Sequence, residues 1–204
     1  MMTARRSPSD SPQLDLLGGD HAAPVELHRL FFALMPDDAT RAQLQQAAVA
    51  LKAQQASLRA RWIDPARYHA TLHFLGDHPM LRQDIVEAAK VAGDALRAVP
   101  FDWVLDFAAS FHGREPPCVL RGSIVPEPMP QLWQRLREAL IRAGQGGHME
   151  RTFTPHVTVA YSRGGMLETT PIEPVHWRVD RLALIHSVVG RGEYQTLYSW
   201  VLVG

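Results

Sequence analysis

The sequence predicts an α+β fold of two pseudo-symmetric lobes, each a largely antiparallel sheet with helices on the outside, meeting at a central cleft. Three observations point there. A His-x-Thr pattern followed by an apolar residue occurs twice, in Tyr68-His69-Ala70-Thr71-Leu72-His73-Phe74-Leu75-Gly76 and in Pro155-His156-Val157-Thr158-Val159-Ala160-Tyr161. Each copy opens a short run of β-favouring residues in its own half of a 204-residue chain, which reads as two related lobes giving matching strands to one site. The elements follow one another as strand, helix, strand, helix, strands, helix, strands, an α+β order.

Residues 1–27 contain Arg5-Arg6-Ser7-Pro8-Ser9-Asp10-Ser11-Pro12 and Gly18-Gly19-Asp20, too poor in apolar groups to pack, and are read as a flexible N-terminal tail. A single bilobal domain is expected over 28–204. No apolar run of signal-peptide length follows the two arginines and no stretch is long enough to span a bilayer, so neither secretion nor a membrane is expected. Gln13, Leu14, Asp15, Leu16 and Leu17 resemble the short motif by which bacterial proteins dock on the DNA sliding clamp, without the aromatic residue that usually ends it. A linker with a few leucines is the competing reading.

Within the folded part, Arg29–Leu34 is a continuous apolar run of buried-strand length. Asp37 or Asp38 caps a helix to about Ala53 whose stripe is Leu44, Ala47, Ala48 and Leu51. Trp62 and Ile63 are extended, and Asp64-Pro65 turns the chain into the first motif strand, about 68–75, ended by Gly76-Asp77. A helix over about 80–97 carries Leu81, Ile85, Ala88, Ala92 and Leu96. Strands at Phe101–Phe107 and Cys118–Ile124 flank a Gly/Pro loop. A third helix, about 128–143, buries Leu132, Trp133, Leu136, Leu140 and Ile141. The second motif strand, about 156–161, follows, and two closing strands run Val179–Val189 and Tyr194–Val203.

Composition limits the function classes. The chain has 21 basic and 21 acidic residues and no net charge, so any grip on phosphate must be local. Cys118 is the only cysteine, cannot form an internal disulfide, and reads as a buried thiol in a reduced, cytoplasmic setting. No glycine-rich phosphate loop is present. A monomer without cofactor is expected.

On a strand, a two-residue spacing sends both side chains to one face, so His69 with Thr71, and His156 with Thr158, each form a pair. Two imidazoles across a cleft suit displacement at phosphorus: one takes the proton of the attacking hydroxyl, the other protonates the departing oxygen. The threonine hydroxyls can donate to the non-bridging oxygens. A metal site is the competing chemistry. His69 and His73 would share one zinc on a helix, but on a strand their Cα atoms lie roughly 13 Å apart, so no metal is expected. His73, by alternation, falls on the catalytic face and is a candidate lining residue. Phe31, Phe74 and Tyr68 are read as core rather than as base-stacking faces. Arg29, Arg67, Arg114, Arg121 and Arg163 are scattered cations of which a few would approach RNA phosphates.

Together with Arg29–Leu34, Trp62-Ile63-Asp64-Pro65 and Val179–Leu184, the two motifs resemble the RNA 2′,3′-cyclic phosphodiesterases, also called 2′-5′ RNA ligases, of the 2H phosphoesterase superfamily. The resemblance covers about 29–203 and implies metal-independent hydrolysis of a 2′,3′-cyclic phosphate, on an RNA end or a nucleotide, to a 2′-phosphate. It gives His69 the role of acid towards the 3′ oxygen, His156 that of base, and Thr71 and Thr158 that of phosphoryl ligands. The family commonly carries arginine where this chain has Tyr161; Arg163 would substitute through a bulge, and Tyr161, by alternation, would face the packing side. Alternative readings keep the site for ligation or for another cyclic or 2′-5′ linked substrate, or make the chain a non-catalytic RNA-end binding module.

Overall fold

The computed structural model describes residues 26–203. The run Gln13–Leu17 and residues 1–25 of the expected tail lie outside the described residues. The chain runs β1 (His28–Leu34), α1 (Asp38–Gln54), β2 (Ala60–Trp62), β3 (Ala70–His78), α2 (Gln83–Asp94), β4 (Phe101–Ser110), β5 (Pro117–Arg121), α3 (Pro128–Arg142), β6 (Val157–Ser162), β7 (Thr170–Val179), β8 (Arg181–Val188) and β9 (Tyr194–Val201). Single 3-10 turns occupy Pro65–Arg67 and Gly146–His148.

The strands form two antiparallel sheets, in the orders β3-β1-β8-β9 and β2-β6-β5-β4-β7. The α+β expectation of two sheets with helices holds, with one difference in how the chain fills them. The first sheet takes strands from both ends of the folded chain, and β2 crosses into the second sheet between β1 and β3. The lobes are interleaved rather than built one after the other. Strand β7 is absent from the sequence reading because Pro171 and Pro174 interrupt it. Those prolines are tolerated because β7 is the edge of its sheet and pairs only with β4.

Helix α1 starts where Asp37 accepts a 2.7 Å hydrogen bond from the Thr40 amide, which holds its carboxyl below the usual range. Its stripe of Leu44, Ala47, Ala48 and Leu51 is buried against β7. Helices α2 and α3 pack on each other and on β9 and β3. In β1, Leu30, Phe32 and Leu34 join the main core, while Phe31 and Ala33 form a second small cluster with Ala183 and Ile185 on the other face. The continuous apolar run of this strand follows from burial on both faces. Of the stripe expected for α3, Ile141 is the member left exposed. No helix among the described residues is long and apolar enough to cross a membrane.

Both motif strands carry a bulge at the same place. In the β1–β3 pair, Ala33 faces Thr71 and Phe32 faces His73, so Leu72 is the extra residue. In the β5–β6 pair, Val119 faces Thr158 and Cys118 faces Ala160, so Val159 is the extra residue. A one-residue slip inverts every side chain beyond it. Leu72 and His73 are therefore both buried, as are Val159 and Ala160, and the next residues, Phe74 and Tyr161, return to the cleft. A further register shift lies near Gly76, whose φ of +112° suits glycine, and β3 continues to His78 instead of ending at Gly76-Asp77.

Candidate active site

A cleft of about 580 Å³ lies where β3 and β6 approach, and His69, Thr71, His156 and Thr158 all line it. The turn Pro65–Arg67 and Pro155, respectively, deliver the two histidines immediately before their strands begin.

Each histidine is oriented the same way. His69 donates from Nδ1 to the Arg67 carbonyl at 2.7 Å, and His156 donates from Nδ1 to the Thr154 carbonyl at 2.7 Å. A carbonyl can only accept, so Nδ1 carries the proton and Nε2 is the basic nitrogen of both neutral rings. The Thr71 hydroxyl donates to His69 Nε2 at 3.1 Å. Aromatic rings fix the imidazole planes: Phe31 and Tyr194 stand 5.0 and 5.3 Å from His69, and the edge of Phe111 meets His156 at 4.9 Å.

Burial pushes the His69 imidazole down to about 4, partly offset by the Arg67 carbonyl; the His156 and Arg67 charges lower it further. His156 is also lowered, first by burial and then by Arg121, while the Thr154 carbonyl and Glu150 act the other way. Both rings are therefore neutral in the bare site near pH 7. The cleft lining adds Arg29, Arg61 and Arg67 and, among the described residues, contains no carboxylate. In a chain without net charge this is the local cationic patch that an anionic ligand requires.

His73 does not line the cleft, and the expectation from alternation is corrected. The Leu72 bulge turns it inward, where it is 2% exposed, stacks 5.0 Å from Trp133 and donates from Nε2 to the Trp133 carbonyl at 2.9 Å. Burial pushes it down to about 4. The unfolded chain binds a proton at this imidazole below about 6.5 and the folded chain excludes it down to about 4. Stability contributed by the neutral ring is thus full above that window and falls through it as pH drops, by about 1.4 kcal/mol per pH unit. Denaturant unfolding between pH 7 and 4.5 checks this: the wild type weakens with acid more steeply than His73→Phe, which cannot titrate there.

Arg163 is exposed on the turn after β6 and lies outside the cleft lining. The bulge invoked for it exists but delivers Tyr161, which faces the cleft and not the packing side. Phe74, 39% exposed, also lines the cleft; Phe31 is buried with its ring beside His69, and Tyr68 is core. Of the scattered arginines, Arg29 and Arg67 reach the cleft, Arg121 is near enough to lower the His156 imidazole without lining the cleft, and Arg114 is exposed elsewhere. Arg61, Tyr194 and the β8–β9 hairpin around Gly190 are lining residues that the motifs do not announce. One signal was available: aligning the two motif copies from His to the fifth residue beyond pairs Phe74 with Tyr161 and His73 with Ala160. Among the described residues no three His, Cys, Asp or Glu side chains converge as a metal site would require.

A family model described as the 2′-5′ RNA ligase superfamily matches residues 36–191. The chain belongs to this superfamily, the 2H phosphoesterases. Its structure is similar to E. coli LigT in the apo form, with a TM-score of 0.70 and 25% identity over 88% of this chain and 99% of that one. LigT complexed with 3′-AMP gives the same TM-score and identity over 88% and 100% of the two chains. TT0787 of Thermus thermophilus shares the fold, with a TM-score of 0.68 at 22% identity over 85% and 97%. No curated protein matches the chain significantly.

Proposed function

We propose that the chain hydrolyses 2′,3′-cyclic phosphate ends of RNA to 2′-phosphates, without a metal, by acid–base catalysis between His69 and His156. The observation that carries this reading is that both His-x-Thr pairs, each with Nε2 as its basic nitrogen, share one cleft whose lining, among the described residues, holds arginines and no carboxylate. The LigT structure complexed with 3′-AMP supports a nucleotide ligand for this chain.

The phosphoryl group sits between the two motif strands. Its arrival draws the Thr71 hydroxyl from His69 Nε2 to a non-bridging oxygen, and Thr158 donates from the other side. The negative charge of the diester raises both imidazoles, and His69 takes up a proton at Nε2. His156 removes a proton from water, the oxygen of that water attacks phosphorus, and the bond to the 3′ oxygen breaks as His69 protonates it. The phosphate remains on the 2′ oxygen. Glu150 stabilises the imidazolium formed on His156 against the opposing charge of Arg121.

The pH dependence follows from the depressed imidazoles. The free enzyme needs one protonated and one neutral ring, so kcat/KM peaks below the ordinary histidine value of 6.5 and above about 4, and declines towards neutral pH. Bound phosphate raises both groups, so the kcat profile lies at higher pH than that of kcat/KM. A kcat/KM profile that keeps rising above pH 7 contradicts this account.

The reading is tested by incubating a nucleoside 2′,3′-cyclic phosphate and a short RNA bearing the same end with the protein in EDTA. A 2′-phosphate product at the rate seen without chelator is expected. A 3′-phosphate product, or a reaction that EDTA stops and zinc restores, overturns it.

A further inference from the structure

Three guanidinium groups line the cleft, and two of them already donate to a protein oxygen. Arg29 donates from Nε and Nη2 to the two carboxylate oxygens of Asp77, at 2.8 and 2.7 Å. Arg67 lies 4.8 Å from the Tyr194 ring and donates to its hydroxyl at 3.3 Å. Arg61 is different. It is the residue paired with Tyr161 across β2 and β6, and its guanidinium carbon lies 4.9 Å from the centroid of the Tyr161 ring. Among the described residues its side chain makes no ion pair and no hydrogen bond, unlike that of Arg29.

The guanidinium carbon lies over the Tyr161 ring, and among the described residues none of the N–H donors of Arg61 is taken by a protein acceptor. The contact therefore fixes where Arg61 sits while leaving its donors available. Tyr161 owes its place to the Val159 bulge, which puts it on the cleft side with Thr158. A planar guanidinium and a threonine hydroxyl, both lining the cleft that holds the two histidines, match the oxygens of a phosphoryl group.

We propose that Arg61, held over the ring of Tyr161, is the guanidinium that binds the phosphoryl oxygens of the substrate, with Tyr161 as its positioning residue. This rests on the cyclic phosphodiesterase reading and adds to it the cation of the second half-site. Arg61 and Tyr161 come from different strands, so the bulge and the β2–β6 register together create a phosphate ligand that no single motif contains.

The experiment measures binding of inorganic phosphate by calorimetry at two salt concentrations, and hydrolysis of a nucleoside 2′,3′-cyclic phosphate, for six proteins: wild type, Arg61→Gln, Arg61→Lys, Tyr161→Phe, Tyr161→Leu and the double variant Arg61→Gln/Tyr161→Leu. Arg61→Gln is expected to weaken phosphate binding, flatten its salt dependence and lower kcat/KM by about ten- to hundredfold, mainly through KM. Arg61→Lys recovers part of this as a point charge, Tyr161→Leu loses part of what Arg61→Gln loses, and Tyr161→Phe, which keeps the ring, loses less than Tyr161→Leu. The double variant Arg61→Gln/Tyr161→Leu is no worse than Arg61→Gln alone, which distinguishes positioning from an independent role. Phosphate binding and kcat/KM unchanged in Arg61→Gln overturn the proposal, as does absence of phosphate binding by the wild type. Should the wild type bind phosphate yet hydrolyse no cyclic substrate, the phosphodiesterase reading falls while the calorimetry still decides the role of Arg61.

Discussion

Replacing either His69 or His156 with alanine is expected to lower hydrolysis of a 2′,3′-cyclic phosphate by at least about a hundredfold, the scale on which a positioned acid or base acts. The two losses should be similar, because the sites are built alike. In each, the ring is tethered through Nδ1 to the carbonyl two residues earlier, and Nε2 is left for the substrate. Neither substitution should unfold the protein, since both rings border the cleft and each freed carbonyl gains access to water in it. Steady-state kinetics beside thermal melting separates the effects: a fall in rate with an unchanged melting temperature is the expected pair. A change of less than tenfold in either variant would remove that histidine from the chemistry.

Trp133→Ala is expected to cost about 3–5 kcal/mol of stability, in the range for truncating a large buried aromatic. Contacts with three residues explain why this residue on α3 matters to the site. Its ring stacks 5.0 Å from His73 on one motif strand and 5.7 Å from Phe153, just ahead of the other motif. Its Nε1 donates to the carbonyl of Leu72 at 3.0 Å, the bulged residue, and its own carbonyl accepts from His73. The indole thus satisfies a polar group at the irregularity that sets the cleft face of β3. Trp133→Phe keeps a ring but leaves the Leu72 carbonyl without its donor, at a cost of about 1–3 kcal/mol. Denaturant unfolding reads the stability, and kcat/KM of Trp133→Phe should fall because both motifs lean on this ring. Stability and kcat/KM both unchanged in Trp133→Phe would show that the bulge holds without it.

Much of the fold was legible because local rules and burial agree. Phe31–Leu34 is apolar throughout since both faces of β1 are covered, and Asp37 caps α1 as its position before the Leu44–Leu51 stripe implies. The pairing of His69 with Thr71 and of His156 with Thr158 in one cleft was likewise readable from spacing alone, since each pair precedes its bulge. Beyond Thr71 and Thr158 the two-residue period fails. His73 and Tyr161 exchange the faces that alternation assigns them, and nothing local in Leu72 or Val159 announces an extra residue. The irregularities arise in the pairing with neighbouring strands, and the donor to the Leu72 carbonyl comes from Trp133, all distant in sequence. Strand β7 was hidden by prolines that only an edge position permits, and Arg61 by its place on a three-residue strand whose partner, Tyr161, is far away in the sequence. The interleaving of the two sheets is also invisible in a repeat of two motifs, because β8 and β9 carry neither.

The division of labour between His69 and His156 is tested most directly by a cyclic substrate whose departing 3′ oxygen is replaced by sulfur. A thiolate leaves without protonation, so a protein lacking only the acid should recover most of its rate on this substrate, whereas one lacking the base should not. Recovery in His69→Ala and none in His156→Ala is the expected result. Recovery in both variants alike, or in neither, would contradict a pair of complementary proton-transfer groups.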